Sequence, residues 1–283
     1  MAGDEHPYHL GVVRVTGRWL VILLVAACEQ ATPPKRVVYR TDGGSAVQLA
    51  LLQYSYWEGG FDRPLFVAYS DGTIIFPTHH VGSIPDRYAA VRLTRGGVDS
   101  VLSHLGDDRA LFGLDSLYDY APRASDQHSF YLLLPEDSGM KLIDVRAGVD
   151  KFDNPTAEVP APFRRLYSNL MSFSPSHATS WTPESVEVLV WPYEYAPDNQ
   201  PLAWPSQWPG FESPRWHRRA NPVVGEDRTI RLPYSDVKTL DSLLSRQRRT
   251  QAIGIGGHKW TLNYRWIFPF EDDWAWLRDR LES

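Results

Sequence analysis

The chain has 283 residues, 43% hydrophobic and 22% charged, a balance that excludes a disordered polymer and suffices for one large domain or two small ones. Its net charge of −5 withholds the positive field of nucleic-acid binders, so no nucleic acid is expected as a partner. A single cysteine excludes an internal disulfide, leaving stability to a core rich in aromatics, with 11 Trp, 14 Tyr and 11 Phe.

Near the start, Arg18 precedes an apolar run from Trp19 to Ala27, in which Val25-Ala26-Ala27 leads into Cys28. The run is far shorter than the about 20 residues of a membrane-spanning helix, but it suits the apolar region of an export signal. Val25-Ala26-Ala27-Cys28 resembles the lipobox of bacterial lipoproteins. The resemblance implies cleavage after Ala27, a diacylglyceryl group on the Cys28 sulfur and residence in the bacterial cell envelope, outside the cytoplasm. The membrane is then a partner through that lipid, at about 0.8 kcal/mol per buried methylene. Asp4 and Glu5 are unusual ahead of an export signal, and a translation start near Val12 or Val13 would account for them. The other reading makes 19–27 a buried strand and Cys28 a core cysteine. The solvated run Glu29-Gln30-Ala31-Thr32-Pro33-Pro34-Lys35 favours the lipobox. The expected organisation is a signal peptide over 1–27, a lipidated terminus and tether over 28–45, and a globular domain over 46–283.

Within that domain, Val47 to Trp57 reads as a strand. Leu65 to Tyr69 and Ile74 to Phe76 read as a hairpin around Asp71-Gly72, a strong turn signal. A strand over 88–93 leads to a helix over 97–105, with Val98, Val101, Leu102 and Leu105 at helical spacing and Gly106 as its stop. A second hairpin spans 129–134 and 140–145. Pro160 to Phe173 reads as a helix with Phe163, Leu166, Tyr167, Leu170 and Met171 on one face. A strand over 186–191 gives way to a Pro/Trp-rich loop from Pro192 to Pro222, long by loop statistics. Then come a strand over 229–232, a helix over 235–247 turning Val237, Leu240, Leu243 and Leu244 inward, a hairpin over 251–255 and 259–268 around Gly256-Gly257-His258, and a helix over 272–281. Hairpins outnumber alternating units, so the expected class is α+β, with mainly antiparallel hairpins and three or four short helices.

Arg92-Leu93, Val98, Val101 and Leu105 recur as Arg231-Leu232, Val237, Leu240 and Leu244 at a constant offset of 139. An internal duplication, with related halves over 46–150 and 183–270, explains the match. Ordinary amphipathic spacing explains most of it too.

Residues that could carry chemistry are scattered. His79-His80, with Asp86 beyond, lacks the spacing of a metal motif, and neighbours on an extended loop point apart. Glu58 and Asp62 flank a flexible turn, and glycoside hydrolysis needs a fixed separation that sequence does not give. Asp126, His128 and Ser129 are close in sequence, which makes no triad. Gly254-Ile255-Gly256-Gly257 lacks the lysine of a phosphate-binding loop and reads as a turn. Arg246-Gln247-Arg248-Arg249 sits where a helix ends and complements its dipole. No catalytic residue, metal site or cofactor is therefore expected.

Indoles concentrate late in the chain, with Trp204, Trp208 and Trp216 in the long loop beside Phe211. Exposed, they would stack on sugar faces as a ligand-binding set; packed down, they would order the loop from within. Further resemblance lies in FVAYSDGTIIFP, the helix after Arg92-Leu93 and the late PESVEVLVW segment, which are similar to uncharacterised secreted bacterial proteins and imply no activity. The expectation is an envelope protein acting as a non-enzymatic interaction module on a protein or glycan. The alternatives are a glycan or peptidoglycan binder using 192–222 and an envelope hydrolase with a His/carboxylate site.

Overall fold

The computed structural model describes residues 38–39, 46–55, 61–78, 87–105, 108–120, 128–136, 139–149, 154–198, 200–221, 225–247, 251–271 and 274. The expected signal segment over 1–27, Cys28, Glu58, His79, His80, Asp86, Asp126 and the helix expected over 272–281, apart from Trp274, lie outside them. All the described residues belong to the compact unit Pro34–Ser283.

The class is α+β, built on two sheets of nine and six strands. The first holds β1 (Val38–Tyr39), β2 (Val47–Ser55), β3 (Phe61–Tyr69), β4 (Thr73–Pro77) and β5 (Tyr88–Arg92). After α1 (Arg95–Leu105) and α2 (Asp108–Phe112), it adds β6 (Leu117–Asp119), β7 (Ser129–Glu136) and β8 (Gly139–Arg146), and after α3 (Ala161–Met171) it closes with β9 (Thr179–Trp181). Its spatial order is β1-β8-β7-β2-β3-β4-β5-β9, with β6 parallel to β8. The second holds β10 (Ser185–Pro192), β11 (Leu202–Ala203), β12 (His217–Asn221) and β13 (Gly225–Pro233), then, after α4 (Val237–Arg246), β14 (Ile253–Ile255) and β15 (His258–Trp266). Its order is β11-β14-β15-β10-β13-β12, antiparallel except where β11 meets β14.

The expected hairpins form at β3–β4, β7–β8 and β14–β15, and the helix faces are those the spacing gives. Phe163, Leu166, Tyr167 and Leu170 of α3 are buried, as are Val237, Leu240 and Leu243 of α4. The stretch 192–222 departs from a structureless loop, since it carries β11 and the five-residue edge strand β12. The two sheets also do not repeat one another strand for strand. The 139 offset aligns β5–α1 with β13–α4, yet β3 and β4 separate β5 from the central β2, whereas β13 pairs directly with β10. The later hairpins enter differently, through the first strand β7 in one sheet and the second strand β15 in the other.

Alternation sorts the core into two layers. Leu51, Phe66, Ile74, Phe130, Leu132 and Ile143 of the first sheet pack with α3. Their neighbours Leu52, Val67, Ile75, Tyr131 and Leu133 share a core with Val186, Val188 and Ile230 of the second sheet and Leu240 of α4. Two register shifts between β2 and β3 keep this sorting consistent, because each extra residue exchanges the faces that follow it. They place Leu65 and Phe66 together on the helix side. Pro64 is tolerated in β3 because β4 pairs only with Val67 and Ala68, leaving the proline nitrogen outside that ladder.

One glycine fixes a corner of the first sheet. Gly72, at φ +94°, turns β3 into β4, and a Cβ there would lie 2.0 Å from the Leu93 carbonyl oxygen. Its own carbonyl accepts the Leu93 N–H at 2.8 Å, and Asp71 accepts the Thr73 N–H at 2.9 Å. Gly72→Ala should lower stability by more than about 1 kcal/mol in urea unfolding. Gly96→Ala, at an open position in α1 with nothing within 4 Å of its Cβ, should leave it unchanged or raise it by up to about 1 kcal/mol.

Candidate functional site

The stretch after β10 is tied down at several of its described residues. Glu194 accepts from His258 Nδ1 at 3.0 Å and from the Lys259 N–H, while Lys259 Nζ donates to the carbonyls of Ala196 and Asp198. The Leu202 N–H reaches the Ala252 carbonyl, where the parallel β11–β14 pairing begins. Prolines at 197, 201, 205 and 209 reduce the number of N–H groups that need partners.

Beyond β11 the indoles fold onto one another. Trp208 is 5% exposed and Trp216 8%, both in the shared core, with Trp204 packed partly buried against it. Trp204 lies 4.9 Å from Trp208 and 5.8 Å from Trp216 between ring centroids. Phe211 meets Trp216 and Trp260 edge-on at 4.8 and 4.7 Å, and the Arg228 guanidinium sits 4.3 Å above the Phe211 ring. The Nε1–H groups of Trp204 and Trp216 both donate to the Pro209 carbonyl, each at 3.2 Å. The expected ligand set is thus brought together, with Trp208 and Trp216 buried in the core and Trp204 half-buried against them.

This wrap leads into β12, the outermost of the described strands on this side of the second sheet. β12 pairs with β13 from His217↔Thr229 to Asn221↔Gly225, and no described strand pairs with its other side. His217 is exposed, and the Arg218 side chain is 70% exposed, its Nε 3.1 Å from Glu226 Oε1. Glu226 Oε1 also meets Arg228 at 3.2 Å, so one carboxylate serves two guanidinium groups. Just before β12, Arg215 donates to the Arg231 carbonyl at 2.8 Å and caps β13 where the edge ladder stops. Tyr195, 81% exposed, stands on the same stretch and packs edge-on against Tyr193. Composition offered no signal for this edge, because the arginines are interleaved with loop-like prolines and glycine.

Of the other sequence candidates, His128 and Ser129 lie among the described residues and point apart. Gln53 donates to His128 Nδ1 at 2.7 Å on the helix-covered side of β7, and strand alternation sends Ser129 to the opposite face with Tyr131. Among the described residues no three His, Cys, Asp or Glu side chains are grouped to hold a metal ion. Gly256 and Gly257, both at positive φ, make the two-residue turn of β14–β15.

Buried polar groups serve the frame. Arg265 is held by Glu187 at 2.7 Å and by both oxygens of Glu271 at 2.8 Å, and Glu271 also accepts the Phe268 N–H. Lys141 donates to the carbonyls of Phe112 and Leu114, closing the end of α2. Tyr264 donates to Asp241 Oδ1 at 2.6 Å, and burial, then that bond, pushes its hydroxyl pKa well up. No family model, curated protein or solved structure matches the chain.

Glu271→Ala should destabilise the fold by roughly 3–5 kcal/mol in chemical denaturation, since it strips a buried guanidinium of its bidentate partner. Tyr264 is favoured protonated in the fold, so its contribution is full below the unfolded tyrosine pKa of 10.0 and declines as pH rises past it. Tyr264→Phe should correspondingly flatten the alkaline limb of a stability-against-pH curve.

Proposed function

We propose that the chain is a lipid-anchored protein of the bacterial cell envelope whose globular body is a non-enzymatic interaction module. The observation that carries the anchor is Val25-Ala26-Ala27-Cys28 behind Arg18 and a short apolar run, followed by a Pro-bearing tether. Support for the module comes from the distribution of polar groups. Arg265, Lys141 and Tyr264 are spent on holding elements together, whereas His217 and Arg218 of β12 and the ring of Tyr195 are exposed. The burial of Trp208 and Trp216 favours protein recognition at this edge over sugar stacking.

Intact-mass analysis of protein from its native host should find residues 1–27 removed and acyl chains on Cys28. Cys28→Ser should leave the precursor uncut and without acyl chains. An unmodified thiol on an uncut polypeptide would falsify the anchor.

A further inference from the structure

We infer that β12 is a docking edge that takes an extended, acidic segment of a partner protein as an added antiparallel strand. This deepens the interaction-module reading and rests on it.

The argument begins with the backbone. A sheet edge offers a row of N–H and C=O groups that an extended chain can satisfy, and peptide-binding domains use this for affinity. Five residues of β12 are paired on one side only among the described strands. The other outer strands among those described are shorter, at three residues in each of β6 and β9 and two in each of β1 and β11. The edge is also prepared at its start, because Arg215 fills the Arg231 carbonyl and ends the ladder cleanly. Behind it the Trp204–Trp216 wrap and Arg228 pack the hairpin onto the core, so a docking strand meets a surface already in place.

Charge selects the occupant. Between Arg215 and Arg231 there are five arginines and two carboxylates, a basic hairpin in a chain of net charge −5. A second copy added antiparallel about the middle of β12 would set Arg219 opposite Arg219, and like charges directly opposite destabilise a strand pair. The same cations attract glutamates and aspartates at alternate positions of an incoming strand. A charged edge can also serve only to repel strands, as a guard against aggregation. The two roles differ in one respect, since a guard binds neither an acidic nor a basic strand.

The test uses the protein purified from detergent-solubilised whole cells of its native host, with a fluorescent (Glu-Val)5 peptide as probe and (Lys-Val)5, proline-interrupted (Glu-Pro)5 and anionic vesicles as comparators. Saturable binding of the Glu-Val peptide alone is expected, with amide-exchange protection appearing in 217–221. Combined His217→Glu and Arg218→Glu, both exposed positions, should weaken it by about tenfold or more while leaving core amide protection unchanged. The proposal is overturned if the Glu-Val peptide does not bind, if the basic or proline-interrupted peptide binds equally, if protection in 217–221 does not change, or if only vesicles bind. The mass of Cys28 is read on the same preparation, so loss of the anchor reading and loss of the docking edge are scored independently.

Discussion

A guanidinium buried between two carboxylates joins the parts of this molecule. Arg265 of β15 reaches Glu187 of β10 across the sheet and Glu271 beyond the strand end. Glu271 in turn holds the N–H of Phe268, which fixes the turn that leaves β15. From that turn the Phe268 ring meets Tyr88 and Trp181 of the first sheet at 5.0 and 4.9 Å, and Tyr69 donates to the Pro269 carbonyl. Burying these charges is costly, and the hydrogen bonds that Arg265 makes to both carboxylates, with the Phe268 N–H on Glu271, offset that cost. The aromatic contacts add roughly 0.5–1.5 kcal/mol per pair once that geometry is held.

How legible this was in the sequence depends on where each element draws its stability. The hairpins around Gly72 and Gly256-Gly257 were readable because their turns demand residues with positive φ. The faces of α3 and α4 were readable because burial at helical spacing leaves a periodic trace. The strands β1, which falls in the expected tether, β6, β9, β11 and β12 and the helix α2 were missed. They are two to five residues long, too short for periodicity, and the strands exist because a longer partner offers its edge. The face exchange in β2 was hidden for a related reason, since a bulge is a property of two strands together.

The candidate site was legible in part. Sequence brought attention to Trp204, Trp208 and Trp216, and they do cluster, but composition cannot tell an indole that offers its face from one that has already used it. The feature that distinguishes the region, the arginine-bearing edge, required knowing that 217–221 is a strand and that it is the last in its sheet. His128 and Ser129 show the converse. Adjacent in sequence and suggestive together, they are separated by the pleat itself.

The shared carbonyl of Pro209 has a thermodynamic consequence. Both indole N–H groups end on one oxygen, and the rings that carry them pack on Trp208 and Phe211. Withdrawing either ring strips contacts from the other, so the links reinforce one another. Links of this kind favour cooperative rather than piecemeal opening of a stretch that has little regular ladder of its own.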